Sequence, residues 1–241
     1  MNKIFIPNSM INHPYFKPPK HDTEYCFIGS ILGWLTTPKS IVWGSGIIRD
    51  KDRIYSRPKE ILAVRGPLTR QKLLDNGIDC PEVYGDPALL LPLHYYPSIE
   101  RRYKYGIIPH FNSLGDRALN KFKNNENIKI INFRQYTSYQ DVIDEMLSCE
   151  FIFSESLHGL IISEAYNIPS KWIDISLEKR EKSNFKFHDY FLSQGYDIEK
   201  AIDFNGLNIS DLELIAKQPY HNHYDLDINK LISACPFELH L

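Results

Sequence analysis

The residues best placed for chemistry lie close together in the stretch FSESLHGLIISEAYNIP: Ser154, Ser156, His158 and Gly159. A histidine beside a serine-rich turn can move a proton near neutral pH, or contact a bound phosphate or carboxylate. The flanking pattern explains why such a turn would gather anions. Glu150 to Phe153 reads as a short strand buried on both faces. Ser154, Glu155 and Ser156 then supply helix-capping chemistry before Leu157-His158-Gly159. An apolar-periodic helix follows, and it should stop near Asn167 because Pro169 restricts its predecessor and cannot extend the hydrogen-bond ladder. A strand that feeds a helix through a short polar turn leaves N–H groups unpaired at the helix start. The helix dipole adds to their attraction for negative charge.

Other candidates sit at comparable strand ends. Arg65 follows a strand over Glu60 to Val64 and precedes a helix over Leu68 to Asn76. Pro67 lies in that helix's first turn and Gly77 at its stop. Arg65 therefore projects from the carboxyl end of a strand, where open α/β sheets bind ligands; its alternative role is an ion pair holding two elements together. Ser45 lies between Gly44 and Gly46, small residues that admit a close backbone or ligand. Asp86, in Gly85-Asp86-Pro87, has the position of a base but also of a turn-capping carboxylate, and the structural role is favoured. Lys186 and His188 lie in FKFHDYF, whose alternation fits an edge strand or a short helix with solvated charges.

These positions depend on alternating strands and helices. Lys3 to Ile6, Tyr25 to Ile28 and Ser40 to Trp43 are strand candidates, with Glu82 to Tyr84 after the first helix. Pro, Tyr and Arg dominate His94 to Lys104, the expected linker. A second alternation runs through a strand at Gly106 to Ile108, a polar helix around Ser113 to Lys123 and a strand at Ile128 to Phe133. Helix Tyr139 to Ser148 buries Val142, Ile143, Met146 and Leu147 at i, i+3, i+4 spacing. Lys171 to Ile175 is a further strand. Glu178 to Lys182 reads as a charged loop, and Ile209 to Gln218 and Asp227 to Cys235 as closing helices. Such alternation implies parallel sheets in a doubly wound α/β architecture.

Composition narrows the function. The 241 residues suffice for one large domain or two small ones, and 43% hydrophobic content is that of a globular chain. A net charge of −2 gives no basic field for nucleic acid. Four scattered cysteines show neither CxxC spacing nor the density of a disulfide scaffold, and the nine histidines lack metal-ligand spacing, so no metal is expected. No signal peptide is evident and no apolar run reaches the ~18 residues of a membrane span, which predicts a cytoplasmic protein.

Taken together, WGSGI (Trp43 to Ile47), AVRGPLT (Ala63 to Thr69), GDPALLLP (Gly85 to Pro92), IIPH (Ile107 to His110), the Ser148 to Ile173 block and FKFHDYF (Phe185 to Phe191) resemble the polysaccharide pyruvyl transferase family. Their shared order and spacing carry the match, over roughly residues 40 to 195. The branch resembled ketalises sugars of bacterial exopolysaccharides. The resemblance implies two Rossmann-like domains in a glycosyltransferase-B-like arrangement: residues 1–100 on the acceptor side, with an abbreviated first domain, and 101–241 on the donor side. It also implies phosphoenolpyruvate as donor substrate, no separate cofactor, and a saccharide acceptor that a bacterial pathway could present lipid-linked at the inner membrane face.

The histidine of the family's LHG motif falls on His158. The position just before the motif's leucine, often arginine in the family, is Ser156, and where many members have a basic residue after the strand opening the second domain, this chain has His110. Donor contacts are therefore expected from His110, Ser154, Ser156, Gly159, Lys186 and Arg65, with Ser45, Asp86 and His188 toward the acceptor or cleft. Two other classes stay open. A nucleotide-sugar glycosyltransferase would use Glu164 on a ribose, and a degenerate, non-catalytic family member would bind without turnover.

Overall fold

The structure is a computed structural model that describes residues 23–175, 184–198, 200–219 and 226–238. The expected strand at Lys3 to Ile6 and the charged loop at Glu178 to Lys182 lie outside these residues. The first elements in chain order are β1 (Glu24–Cys26), α1 (Leu32–Leu35), β2 (Ser40–Trp43), β3 (Glu60–Ala63) and α2 (Pro67–Asp75). Next come β4 (Tyr103–Ile108), β5 (Ile128–Ile130), α3 (Tyr139–Leu147), β6 (Cys149–Ser154), α4 (Leu157–Ala165) and β7 (Ser170–Asp174). Last are α5 (Phe185–Ser193), β8 (Ile202–Asp203), α6 (Ile209–Ala216) and α7 (Ile228–Ser233).

These elements form two compact α/β units. One holds the described residues up to Pro87 together with 184–198 and 226–238; the other holds 88–175 and 200–219. The division is discontinuous and differs from a single boundary at residue 100. The second unit begins at Ala88, while α5 and α7 belong to the first. Among the described residues no helix is long and apolar enough to cross a membrane.

In the first unit β1, β2 and β3 pair in parallel in that order, and Val64 adds a parallel bridge to Tyr84. Cys26, Leu32, Val42, Ile47, Val64 and Leu73 are buried together beneath the sheet and its helices. Trp43 is fully buried, and its indole N–H donates to the Leu231 carbonyl at 2.9 Å, which ties α7 to the end of β2.

The second unit carries a five-stranded parallel sheet in the order β5-β4-β6-β7-β8. Tyr105 and Ile107 of β4 and Phe151 and Phe153 of β6 face one core with Phe122, Ile173 and Phe204. Gly106, Ile108, Ile152 and Ser154 are buried as well. Burial on both faces explains why these strands read as nearly continuous apolar runs rather than as alternation.

One expectation needs correction. The polar helix around Ser113 to Lys123 is only a 3-10 turn, Arg117–Leu119, whose start is capped when the Ala118 N–H donates to Asp116 at 2.9 Å. Leu119 and Phe122 are buried in the core with Ala118 packed against it, and Gly115 and Asn120 favour turns over a continuous helix. Of the two forms expected for FKFHDYF, the structure has the helix, α5, which buries Phe187, Asp189, Tyr190 and Phe191, so Asp189 is not a solvated charge.

Asp189 organises the first unit. It is fully buried, and its carboxylate accepts from the Arg65 Nε at 3.0 Å, the Thr69 N–H at 2.8 Å and the Thr69 hydroxyl at 2.6 Å. Gly66, at the N-cap of α2, has no side chain to cap the helix, so Asp189 supplies the acceptor from α5. Removing one partner of a buried ion pair leaves an uncompensated charge. Asp189→Ala should therefore cost roughly 3–5 kcal/mol in chemical unfolding of the whole chain; an unchanged midpoint would contradict this role.

Candidate functional site

Chain order and strand order together locate the switch point of the sheet. From β4 the chain adds β5 on one side, then crosses to place β6, β7 and β8 on the other. The order reverses between β4 and β6, and in open α/β sheets ligands bind outside the carboxyl ends of the strands at such a point. The register sets those ends side by side: Ile107 opposite Ile130, Ile108 opposite Ser154, and Ser154 opposite Trp172. His110 leaves the end of β4, and Ser154 to Gly159 leaves the end of β6.

The turn into α4 is set by close packing. The Ser154 hydroxyl accepts from the Ser156 N–H at 3.1 Å and donates to the Ser156 carbonyl at 2.8 Å, folding the backbone back on itself. Gly159, one turn into the helix, lies against this hydroxyl. A Cβ there would stand 2.1 Å from Ser154 Oγ and 3.0 Å from Ile108 Cδ1. The LHG glycine is thus required by the approach of α4 to the ends of β4 and β6. Ser156 is the N-cap residue but makes no side-chain cap hydrogen bond, so its half-buried hydroxyl is not committed to the helix end. His158 is half-buried in the first turn, at the positive pole of the helix.

Glu155 holds the turn in place. Only 7% exposed, its carboxylate accepts from the His110 N–H at 3.0 Å and the Ile175 N–H at 3.4 Å, while its own N–H donates to the Ile108 carbonyl at 2.8 Å. One side chain therefore joins the segments leaving β4, β6 and β7. The sequence placed it among capping residues, and nothing in its spacing distinguishes this bridging role. His110 is fixed by its backbone and by its ring, whose Nδ1 accepts from the Asn112 N–H at 3.3 Å and which packs on Phe111 with centroids 4.1 Å apart. Phe111 in turn lies under the guanidinium of Arg134, 4.0 Å from the ring centre. Neither Phe111 nor Arg134 was marked by a motif.

The structure thus brings together His110, Ser154, Ser156, His158 and Gly159 in the second unit. Ser45, Arg65, Asp86, Lys186 and His188 belong to the first. Arg65, 1% exposed, spends its donors internally: on Asp189, on the Ser30 hydroxyl at 2.6 Å and on the Ile47 carbonyl at 2.7 Å. The small residues of WGSG admit this guanidinium, since a Cβ on Gly46 would fall 2.4 Å from Arg65 Cζ. The Ser45 hydroxyl donates to the Gly29 carbonyl at 2.8 Å, and Asp86 is buried. His188 Nδ1 lies 2.7 Å from the Asp197 carboxylate, and Lys186 extends over the Phe187 ring.

Burial pushes the Cys149 and Cys80 thiols up to about 12 and Cys26 to about 11, so these sulfurs stay protonated near neutral pH. Among the described residues no cluster of His, Cys, Asp or Glu has the grouping of a metal site.

Residues 4–176 match the family model of the polysaccharide pyruvyl transferases, and the chain belongs to this family. The match extends well upstream of residue 40, where no motif was legible in the sequence. Among relatives, an uncharacterized protein of Acanthamoeba polyphaga mimivirus is 26% identical over 220 residues, covering 89% of this chain and 74% of that one. The succinoglycan biosynthesis protein ExoV of Rhizobium meliloti is 30% identical over 189 residues. That alignment covers 76% of this chain and 57% of the relative. Family and relative support pyruvyl transfer in polysaccharide biosynthesis.

The packing of Gly159 on Ser154 yields a test. Gly159→Ala should destabilise by about 1–3 kcal/mol through overpacking, and adding Ser154→Gly should recover part of that loss. Urea unfolding of the two single variants and the double variant measures the coupling. Strictly additive losses would contradict the contact.

Proposed function

We propose that this chain transfers the enolpyruvyl group of phosphoenolpyruvate to two hydroxyls of a saccharide, forming a pyruvate ketal and releasing inorganic phosphate. The observation that carries this reading is the position of the LHG turn: His158 and the start of α4 stand at the carboxyl end of β6, beside the switch point of the sheet.

The reaction makes three demands. The donor's negative charge must be held, an attacking hydroxyl must lose its proton, and the methylene carbon must gain one. The first turn of α4 offers backbone N–H groups and a favourable dipole for the phosphate. Ser154 fixes that turn, and Ser156 presents a hydroxyl beside it. In the first step a saccharide hydroxyl adds to the substituted carbon of the enol while the methylene takes a proton and becomes a methyl group. In the second, phosphate leaves and the neighbouring hydroxyl adds to the same carbon, so the second hydroxyl proton departs with the phosphate or the solvent. His158 delivers the proton to the methylene or removes it from the hydroxyl, since an imidazole both gives and takes protons near neutrality. His110 lines the adjacent strand end as a donor contact. Arg65 acts in this scheme as scaffold, with Asp189 as its partner.

A plan of two α/β domains of glycosyltransferase-B type is part of the proposal. So are Lys186 as a further donor contact and Ser45, Asp86 and His188 toward the acceptor. The acceptor is a saccharide, lipid-linked at the cytoplasmic membrane face in the fullest form of the proposal.

Incubation with phosphoenolpyruvate and a panel of glycosides should release phosphate and give products heavier by one pyruvate ketal. His158→Ala should lose about 10²–10⁴-fold in turnover while unfolding at the wild-type temperature. Near-normal turnover of that variant would remove His158 from the chemistry. Release of a nucleoside diphosphate from a sugar nucleotide, with phosphoenolpyruvate untouched, would replace pyruvyl transfer by glycosyl transfer.

A further inference from the structure

Phosphoenolpyruvate carries a carboxylate as well as a phosphate, and the turn at Ser154 to Gly159 contributes no permanent cation: the residue before Leu157 is Ser156. Arg134 stands at the same end of the sheet. It lies in the segment that leaves β5, and β5 pairs with β4, whose own end carries His110 and Phe111. A chain of contacts connects it to the histidine-bearing turn. The Arg134 guanidinium covers the Phe111 ring at 4.0 Å, Phe111 packs on the His110 ring, and the His110 N–H donates to Glu155, three residues before His158.

The two arginines at strand ends make an instructive contrast. Arg65 is buried and uses its donors on Asp189, Ser30 and Ile47. Arg134 is exposed, and its guanidinium forms no ion pair with a described carboxylate. Stacking on an aromatic face restrains a guanidinium plane through cation–π attraction and leaves its edge N–H donors pointing outward. That edge matches a carboxylate in a two-pronged hydrogen bond, whereas helix N–H groups suit a phosphate. Phe111 is 47% exposed, so the guanidinium stacked on it stands at the surface of this strand end.

We infer that Arg134, held on Phe111, binds the carboxylate of phosphoenolpyruvate and supplies the fixed positive charge that Ser156 does not. The inference rests on the donor assignment proposed above. Arg134 binds the donor's carboxylate, the phosphate faces the start of α4, and His110 lies between them. Phe111 is the positioning residue that sets the guanidinium plane.

The test compares two ligands that differ only in the carboxylate. Calorimetry on the full chain measures binding of phosphoenolpyruvate and of vinyl phosphate to the wild type, Arg134→Ala, Arg134→Lys and Phe111→Leu. The wild type should favour phosphoenolpyruvate by about tenfold or more, the worth of a charge-assisted hydrogen bond. Arg134→Ala should erase that preference by weakening phosphoenolpyruvate alone, and Arg134→Lys should restore only part of it. Phe111→Leu should fall between the wild type and Arg134→Ala. A merely structural role for Arg134 would weaken both ligands equally and leave their ratio unchanged, which would overturn the inference. So would unchanged phosphoenolpyruvate affinity in Arg134→Ala. If the wild type binds phosphoenolpyruvate but Arg134→Ala keeps its preference, only the role of Arg134 falls. If the wild type binds neither ligand, the donor assignment falls and takes this inference with it.

Discussion

A single buried carboxylate sets the geometry of the candidate site. Glu155 accepts backbone N–H groups from the segments leaving β4 and β7 and is itself carried by the segment leaving β6. Its carboxylate works alongside its own N–H, which donates to the Ile108 carbonyl at 2.8 Å, to keep these strand ends in step. Replacing the carboxylate by an apolar group would leave N–H donors at the rim of the core without their acceptor, a cost of about 1–3 kcal/mol for a buried group. The position of the His110 backbone relative to the segment that leads into α4 is held in part by this side chain.

The first unit repeats the device with a different purpose. Asp189 caps α2 from α5 and neutralises Arg65, and the small residues around Gly46 make room for that guanidinium. WGSGI, AVRGPLT and FKFHDYF, which look like three separate signatures, thus meet in one buried cluster of hydrogen bonds. A motif that recurs in a family is not by that fact a motif that touches substrate. Here the arginine and glycines of the first unit hold helices to a sheet.

Much of the fold was legible because it rests on local rules. β2, α3 and α4 are bounded by glycine, proline and serine positions that stop or start helices whatever their surroundings. The strand-turn-helix form of the LHG segment was legible for the same reason. What could not be read depends on tertiary contact. Asp189 looked like one charge in an alternating stretch, because only the packing of α5 against α2 turns it inward. Glu155 looked like a capping residue, and its partners are separated from it by 45 and 20 positions. The helix expected around Ser113 to Lys123 failed since its two core residues, Leu119 and Phe122, need only a tight turn to reach the interior. Arg134 carries no motif at all; stacking on Phe111 is what distinguishes it from an ordinary surface arginine.

The fate of one proton bears most directly on the proposed ketal formation. With phosphoenolpyruvate and a saccharide acceptor in deuterated water, protonation of the enol methylene should place one deuterium in the methyl group of the product ketal, visible by mass spectrometry and proton resonance. A product that keeps an intact vinyl group, or a ketal methyl free of deuterium, would contradict proton delivery at this site.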